Sequence, residues 1–276
     1  MSKPFSTPSD GRLDEARLRA AVLTPGRVWS ALDVVGETGS TNADLLAAAR
    51  AGAAHGTVLA AEQQTSGRGR FGRTWVTPPA ASALTFSVLL RPAAIPPSGR
   101  GWLSLLAGVA AARALRAAAA VDAVLKWPND VLADGAKLAG ILAEQAGDAV
   151  VVGLGINVGA RREDLPPPRP GALPPTSLAL LGAASTDRTA LLAAVLGELG
   201  EWYQRWAQAG GDATACGLRA EYLQRCATIG AAVRVQLPGG AELTGTATGI
   251  GPAGQLLVDT GDGPVPVTAG DVIHVR

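Results

Sequence analysis

Hydrophobic positions along this chain change their period several times, and each change marks an element. In "LTFSVLLR", Leu84, Phe86, Val88 and Leu90 fall on alternate positions, which predicts a strand over 84–91. "TVLAAEQ" predicts another over 57–63, and a first strand is expected near 28–35. Leu45, Leu46 and Ala49 repeat at helical spacing behind Ser40, Thr41 and Asn42, all residue types that cap helix N-termini. Further helices fit 13–23, 101–120, 188–208 and 213–226. Short apolar pieces follow the long helix at 123–127 and 137–145. "AVVVGLGINVG" (149–159) is a continuous apolar run, as expected for a strand covered on both faces. From Thr228 the pattern becomes short strands cut by "PGG", "GPAG" and "TGDG" turns. These 48 or so residues predict a small β-barrel of SH3-like size, so the chain divides into a larger domain over 1–227 and a smaller one over 228–276. Residues 1–11 are polar and expected to be loose, and the proline-rich 161–176 reads as a stiff surface connector.

Composition narrows the function. Hydrophobic residues make up 47% of the 276 but aromatics only 4%, so alanine, leucine and valine must fill the core. A formal charge of +1 gives no global attraction to nucleic acid or membrane, so any anion site must be local. Arg113 and Arg116 interrupt the apolar 102–125 run and Asp122 follows them, which fits a buried helix of a soluble protein and not a membrane span. The N-terminus has no apolar signal core, so a cytoplasmic location is expected. Cys216 and Cys226 sit in no metal or disulfide pattern, and His55 and His274 sit in no nucleophile motif.

"TSGRGRFGRTW" (65–75) raises a sharper question, because Gly67, Gly69 and Gly72 spell the dinucleotide fingerprint G-x-G-x-x-G. That fingerprint must lead from a strand into a helix, so that pyrophosphate meets the helix N-terminus. Here the loop runs into "RTWVTPPAAS", whose Pro78-Pro79 pair forbids a helix. The alternative is an arginine-lined anion clamp: glycines let backbone approach a ligand, and guanidinium groups fork onto carboxylate or phosphate. Read alone, the loop also fits a solvated basic turn or an RNA-binding arginine–glycine tract. Its three like charges and scant apolar surface predict mobility when empty.

Five motifs in order decide between these readings: "GSTNADL" (39–45), "QTSGRGRFGRTW" (64–75), "LKWPNDVL" (125–132), "KLAGILAE" (137–144) and "VVGLGINV" (151–158). Together they resemble the biotin protein ligases, from about residue 30 to the end. The resemblance implies an α+β fold, with a helix-flanked mixed β-sheet of the class II aminoacyl-tRNA synthetase-like, biotin–lipoate ligase type, and a C-terminal SH3-like barrel. It implies the single-function form, without the N-terminal winged helix of members that double as repressors. The implied substrates are biotin and ATP with Mg²⁺, and the implied partner is the biotin carboxyl carrier domain of a carboxylase.

Site residues follow from the same resemblance. Lys137, Arg68 and Arg70 take the catalytic places. Ser40, Thr41, Asn42, Gln64 and Gly69 join those three around biotin or its adenylate. Arg73, Trp75, Asn129, Asp130 and Asn157 fall on the ATP side, with Asp130 as the candidate Mg²⁺ ligand. Simpler readings stand beside these: helix caps for Ser40–Asn42, and an Asx-type turn for Asn129 and Asp130. A lipoate or octanoate ligase of the same fold, a biotin-regulated repressor and a binding-only protein are the competing functions.

Overall fold

The structure, a computed structural model, describes residues 11–168 and 172–275. Residues 1–10, expected to be loose, lie outside the described residues. Seven strands form a mixed sheet in the order β1-β2-β3-β7-β6-β5-β4: β1 (Ala31–Thr38), β2 (Thr57–Gln64), β3 (Ala83–Leu90), β4 (Val124–Lys126), β5 (Asp130–Ala133), β6 (Ala136–Ala146) and β7 (Ala149–Asn157). β1 and β2 are parallel, as their connection through helix α2 (Thr41–Arg50) allows, and the other neighbours are antiparallel.

Helices α1 (Glu15–Val22), α3 (Trp102–Ala119) and α4 (Arg188–Gln208) cover one face of the sheet, while α2 covers part of the other. Alternation then sorts the residues of β7. Val150, Val152, Leu154 and Ile156 enter the large core, Val151 meets Leu45 and Leu46 of α2, and all nine residues are buried. The same two-sided cover buries every residue of β3, so its expected single apolar face is joined by a second. Each Leu or Val fully withdrawn from water contributes about 1.5–3 kcal/mol. α3 is the one helix among the described residues long and apolar enough to suit a membrane, and it is mostly buried in this core. Glu62 of β2 and Arg188 of α4 form an ion pair at 2.6 Å inside the core. Glu62 also accepts from Leu13 N, and Arg188 donates to the Ala83 carbonyl, so the pair ties α1, β2, β3 and α4 together.

Three elements differ most from the expectation. The first strand begins at Ala31 and not Val28, because parallel pairing starts at Ala31–Thr57. The last helix before the C-terminal strands, α5, is only Leu218–Arg225, since Gly217 at φ 81° breaks the preceding backbone and Asp212 caps a separate turn. β5 was not expected as a strand at all: its four residues follow the Pro128 turn and pair on both sides.

The C-terminal unit is a five-stranded antiparallel sheet, β11-β10-β9-β8-β12, built from β8 (Ala232–Gln236), β9 (Glu242–Ile250), β10 (Leu256–Asp259), β11 (Pro264–Val267) and β12 (Asp271–His274). Its Val233, Val235, Ile250, Leu256 and Val258 are continuous with the main core. Two indoles stitch the units together: Trp127 Nε1 donates to the Gly254 carbonyl at 3.0 Å, and Trp102 Nε1 to the Pro252 carbonyl at 2.8 Å.

Candidate functional site

A cavity of about 460 Å³ opens between the sheet face beyond α2, the 67–76 loop, the proline-rich segment and β12. It gathers every candidate residue named from the sequence: Ser40, Thr41, Asn42, Gln64, Arg68, Gly69, Arg70, Arg73, Trp75, Asn129, Asp130, Lys137 and Asn157. Neither histidine lines it. His55 accepts from Arg91 N and packs against Tyr203, while His274 meets Thr228.

Floor. The sheet face that α2 leaves uncovered carries glycine where side chains would block the cavity. Gly140 of β6 and Gly155 of β7 are cross-strand partners. A Cβ at Gly155 would stand 2.5 Å from Trp75 Cε2, and one at Gly140 3.0 Å from Trp75 Cζ3, so the indole lies where only glycines leave room. Trp75 Nε1 is buried with no hydrogen-bond partner, an unspent donor in the cavity wall. Ser40 caps α2 through Ala43 N, so the capping role read from sequence is present as well. Thr41, Asn42 and Ser87 are almost fully buried. Thr41 N donates to Gln64 Oε1 at 2.9 Å, Thr41 Oγ1 lies 2.7 Å from Ser87 Oγ, and Ser87 donates to Asn42 Oδ1 at 2.6 Å. Asn42 Nδ2 then donates to Glu144 Oε2 at 2.8 Å.

Mouth. Five cationic side chains line the cavity (Arg68, Arg70, Arg73, Lys126 and Lys137) against two carboxylates, Asp130 and Asp271. The loop makes no helix after β2. It turns through a single 3-10 turn at Arg70–Gly72 and returns by a bridge between Arg68 and Thr74, which removes the dinucleotide reading. Two contacts also tie it to the C-terminal unit. Arg70 donates to the Gly270 carbonyl at 3.1 Å, and Arg73 pairs with Asp271. Those anchors lie about 200 residues away in the chain, where local sequence gives no sign of them. Burial lowers the Arg70 pKa, with Asp271 opposing the shift.

Lys137 reaches Asp130 Oδ1 at 2.6 Å. That oxygen is buried and accepts no aligned hydrogen bond, so it keeps acceptor capacity for a cation or donor. The Asn129 and Asn157 amides are partly committed to backbone: Asn129 Nδ2 donates to the Ile141 carbonyl and Asn157 Nδ2 to that of Thr176, each at 2.9 Å. The proline-rich segment is more than a connector. Pro166–Pro168, Ala172, Leu173 and Pro175 form a wall of the cavity, and two backbone bonds hold it beside Lys137: Lys137 N to the Pro174 carbonyl, and Thr176 N to that of Lys137.

Sequence reasoning missed Lys126, Asp271, Ser87 and Glu144. Lys126 lies in the "LKWPND" motif and donates to the Val272 carbonyl at 2.5 Å; burial lowers its pKa, with Asp130 opposing. Its rarity was the available signal, since the chain has three lysines.

Comparison with known proteins agrees with this geometry. Residues 38–160 match the Biotin/lipoate A/B protein ligase family, and residues 228–275 match the Biotin protein ligase C terminal domain. The biotin–[acetyl-CoA-carboxylase] ligase of Mycobacterium tuberculosis is 46% identical over 96% of each chain. The bifunctional ligase/repressor BirA of Bacillus spizizenii is 30% identical over 95% of this chain and 79% of its own. Among solved structures, the Aquifex aeolicus biotin protein ligase in complex with biotin and ATP superposes with a TM-score of 0.74 at 27% identity, covering 90% of this chain and all of that one. A match of this extent leaves one assignment: the chain belongs to the biotin protein ligase family.

Proposed function

We propose that this chain is an ATP-dependent biotin protein ligase that activates biotin as biotinyl-5′-AMP and passes it to a lysine of a carboxylase's biotin carboxyl carrier domain. In the first step a biotin carboxylate oxygen attacks the α-phosphorus of ATP, and pyrophosphate leaves. In the second, the acceptor lysine amine attacks the acyl carbon, loses a proton, and AMP leaves. Neither step needs a covalent enzyme intermediate, so catalysis is positioning and charge stabilisation.

The observation that carries this reading is the polarity of one cavity: a buried neutral hydrogen-bonding floor at one end, five cations at the other. The floor (Ser40, Thr41, Asn42 and Gln64, with Gly69 above) suits a ureido ring. Lys137, Arg68 and Arg70 suit the carboxylate and α-phosphate, which repel each other until cations stand between them. Arg73, Trp75, Asn129, Asp130 and Asn157 belong to the nucleotide side.

Mg²⁺ arrives with the ATP substrate. Among the described residues no group of three or more His, Cys, Asp or Glu could hold a metal ion, so the protein's share would be one carboxylate, with phosphates and water supplying the rest. Asp130, whose buried Oδ1 pairs with the Lys137 ammonium and can still accept from a cation, fits that part. Dependence on ATP agrees with a cytoplasmic location.

The test is incubation with Mg-ATP and biotin, lipoate or octanoate in separate reactions, followed by mass spectrometry of the adenylate and of a carrier domain. Adenylate and a mass gain on the carrier with biotin alone are expected. Product only with lipoate or octanoate, or biotin binding with no adenylate, overturns the proposal.

A further inference from the structure

We propose that Glu144 and Ser87 are positioning residues that set the hydrogen-bond polarity of the cavity floor, holding it ready for a ligand N–H. Neither lines the cavity; both act through residues that do. The inference rests on the reading of this cavity as the biotin site.

The argument follows the protons. A carboxylate accepts and does not donate, so the Glu144–Asn42 contact at 2.8 Å must be donated by Asn42 Nδ2. The second Nδ2 proton goes to the Leu142 carbonyl at 3.2 Å. The amide is thereby fixed, with Oδ1 facing Ser87, so the 2.6 Å contact there is donated by the Ser87 hydroxyl. Ser87 has one proton, now spent. In its 2.7 Å contact with Thr41, the threonine must therefore donate. Thr41 has one hydroxyl proton too, and it has now been used.

One contact is left over. Thr41 Oγ1 and Gln64 Oε1 lie 3.1 Å apart, near enough for a hydrogen bond, but no proton remains to lie between them. Gln64 cannot simply reverse its amide, because Oε1 already accepts from Thr41 N at 2.9 Å. The floor thus ends in two adjacent oxygens with no proton between them: Thr41 Oγ1, which accepts from nothing, and Gln64 Oε1, which accepts only from Thr41 N. A ureido N–H supplies that proton, and a ligand without it leaves the two oxygens facing each other, desolvated.

Packing holds the relay in place. A Cβ at Gly153 would stand 2.1 Å from Asn42 Oδ1 and 3.0 Å from Ser87 Oγ, so glycine there admits the middle of the chain. Without Ser87 or Glu144 the direction is lost: Thr41 is released to donate to Gln64, filling the slot meant for the ligand.

The test compares biotin with the two cyclic carbamates in which one or the other ureido N–H is replaced by oxygen, a change of donor with little change of shape. Calorimetric affinities are measured for the wild type, Ser87→Ala, Glu144→Ala and Glu144→Gln, with melting temperatures alongside. Wild type is expected to favour biotin over the worse carbamate by about 100-fold, within the range that leaving a buried acceptor without its donor costs. In Ser87→Ala and Glu144→Ala that ratio is expected to fall to about 10-fold or less, whereas Glu144→Gln, whose Oε1 can still accept from Asn42, keeps it. If affinity falls equally for all three ligands and the ratio holds, the two residues are merely structural and the proposal is overturned. Glu144 is half-buried at the far end of the relay, so its variants carry the test if Ser87→Ala does not fold. Failure of the wild type to bind biotin at all would instead sink the biotin reading itself, and this inference with it.

Discussion

The two ends of the cavity are built in opposite ways. At the floor, Thr41, Asn42 and Ser87 are nearly inaccessible to water, and each hydrogen bond constrains the next. At the mouth, the loop carrying Arg68, Arg70 and Arg73 exposes over half of Phe71, a bulky residue held in the left-handed region at φ 55°. The Arg70 and Arg73 guanidinium groups lie over its ring, at 4.7 and 5.8 Å from the centroid. The comparison teaches a division of labour. A neutral ring is recognised by donors and acceptors fixed beforehand, because freezing them after binding would cost affinity. On the proposed reading, phosphate and carboxylate would be met by cations on a segment tied to its surroundings by a few polar contacts, which anionic substrate would replace.

Four predictions break or sharpen this contrast. Lys137→Ala is expected to have the largest effect, slowing pyrophosphate release on adenylation by about 10²–10³-fold, as loss of one group that stabilises developing charge does. A change under about threefold would mean that the loop arginines carry the step without it. Gly155→Ala tests the floor. Its methyl would meet the Trp75 indole at 2.5 Å, so about a tenfold rise in KM is expected. Whether the rise falls on biotin or on ATP tells which ligand lies against that ring. Asp271→Ala releases Arg73, and trypsin cleavage after Arg68, Arg70 or Arg73 is expected to quicken about threefold in the absence of ligand. An unchanged rate would show that the Arg70–Gly270 bond alone holds the loop. Arg116→Ala breaks an ion pair exposed on both sides, 62% and 75%, neither partner of which lines the cavity. It should change stability in urea by less than about 0.5 kcal/mol and leave activity alone.

The sequence made the local parts of this molecule legible. Strands announced themselves by alternation or continuous burial, and the Pro78-Pro79 pair was enough to reject a dinucleotide turn. Arginines, glycines and the "KWPND" turn pointed to the cavity because the chemistry sits within short motifs. The long-range parts were not legible. Ser87 meets Asn42 across 45 positions, and Asp271 meets Arg73 across 198. Nothing in "TFSVL" distinguishes a serine that orients a threonine from one that fills a strand. The proline-rich segment misled for a related reason: composition gave its stiffness, but only the fold shows which surface a stiff segment lies against.

That segment has one more consequence. Because Pro174 and Thr176, at its C-terminal end, are stitched to the backbone of Lys137 through the Pro174 carbonyl and Thr176 N, the ammonium does not hang from an independent strand. It rides on a splice between two stretches of chain. A residue inserted before Pro174 would alter the cavity wall that Ala172 and Leu173 help to form, yet leave this splice in register. The register from Pro174 to Thr176 is not free: a single residue inserted at the splice would shift the anchoring carbonyl and amide by a full step, and the lysine would be retuned without being mutated.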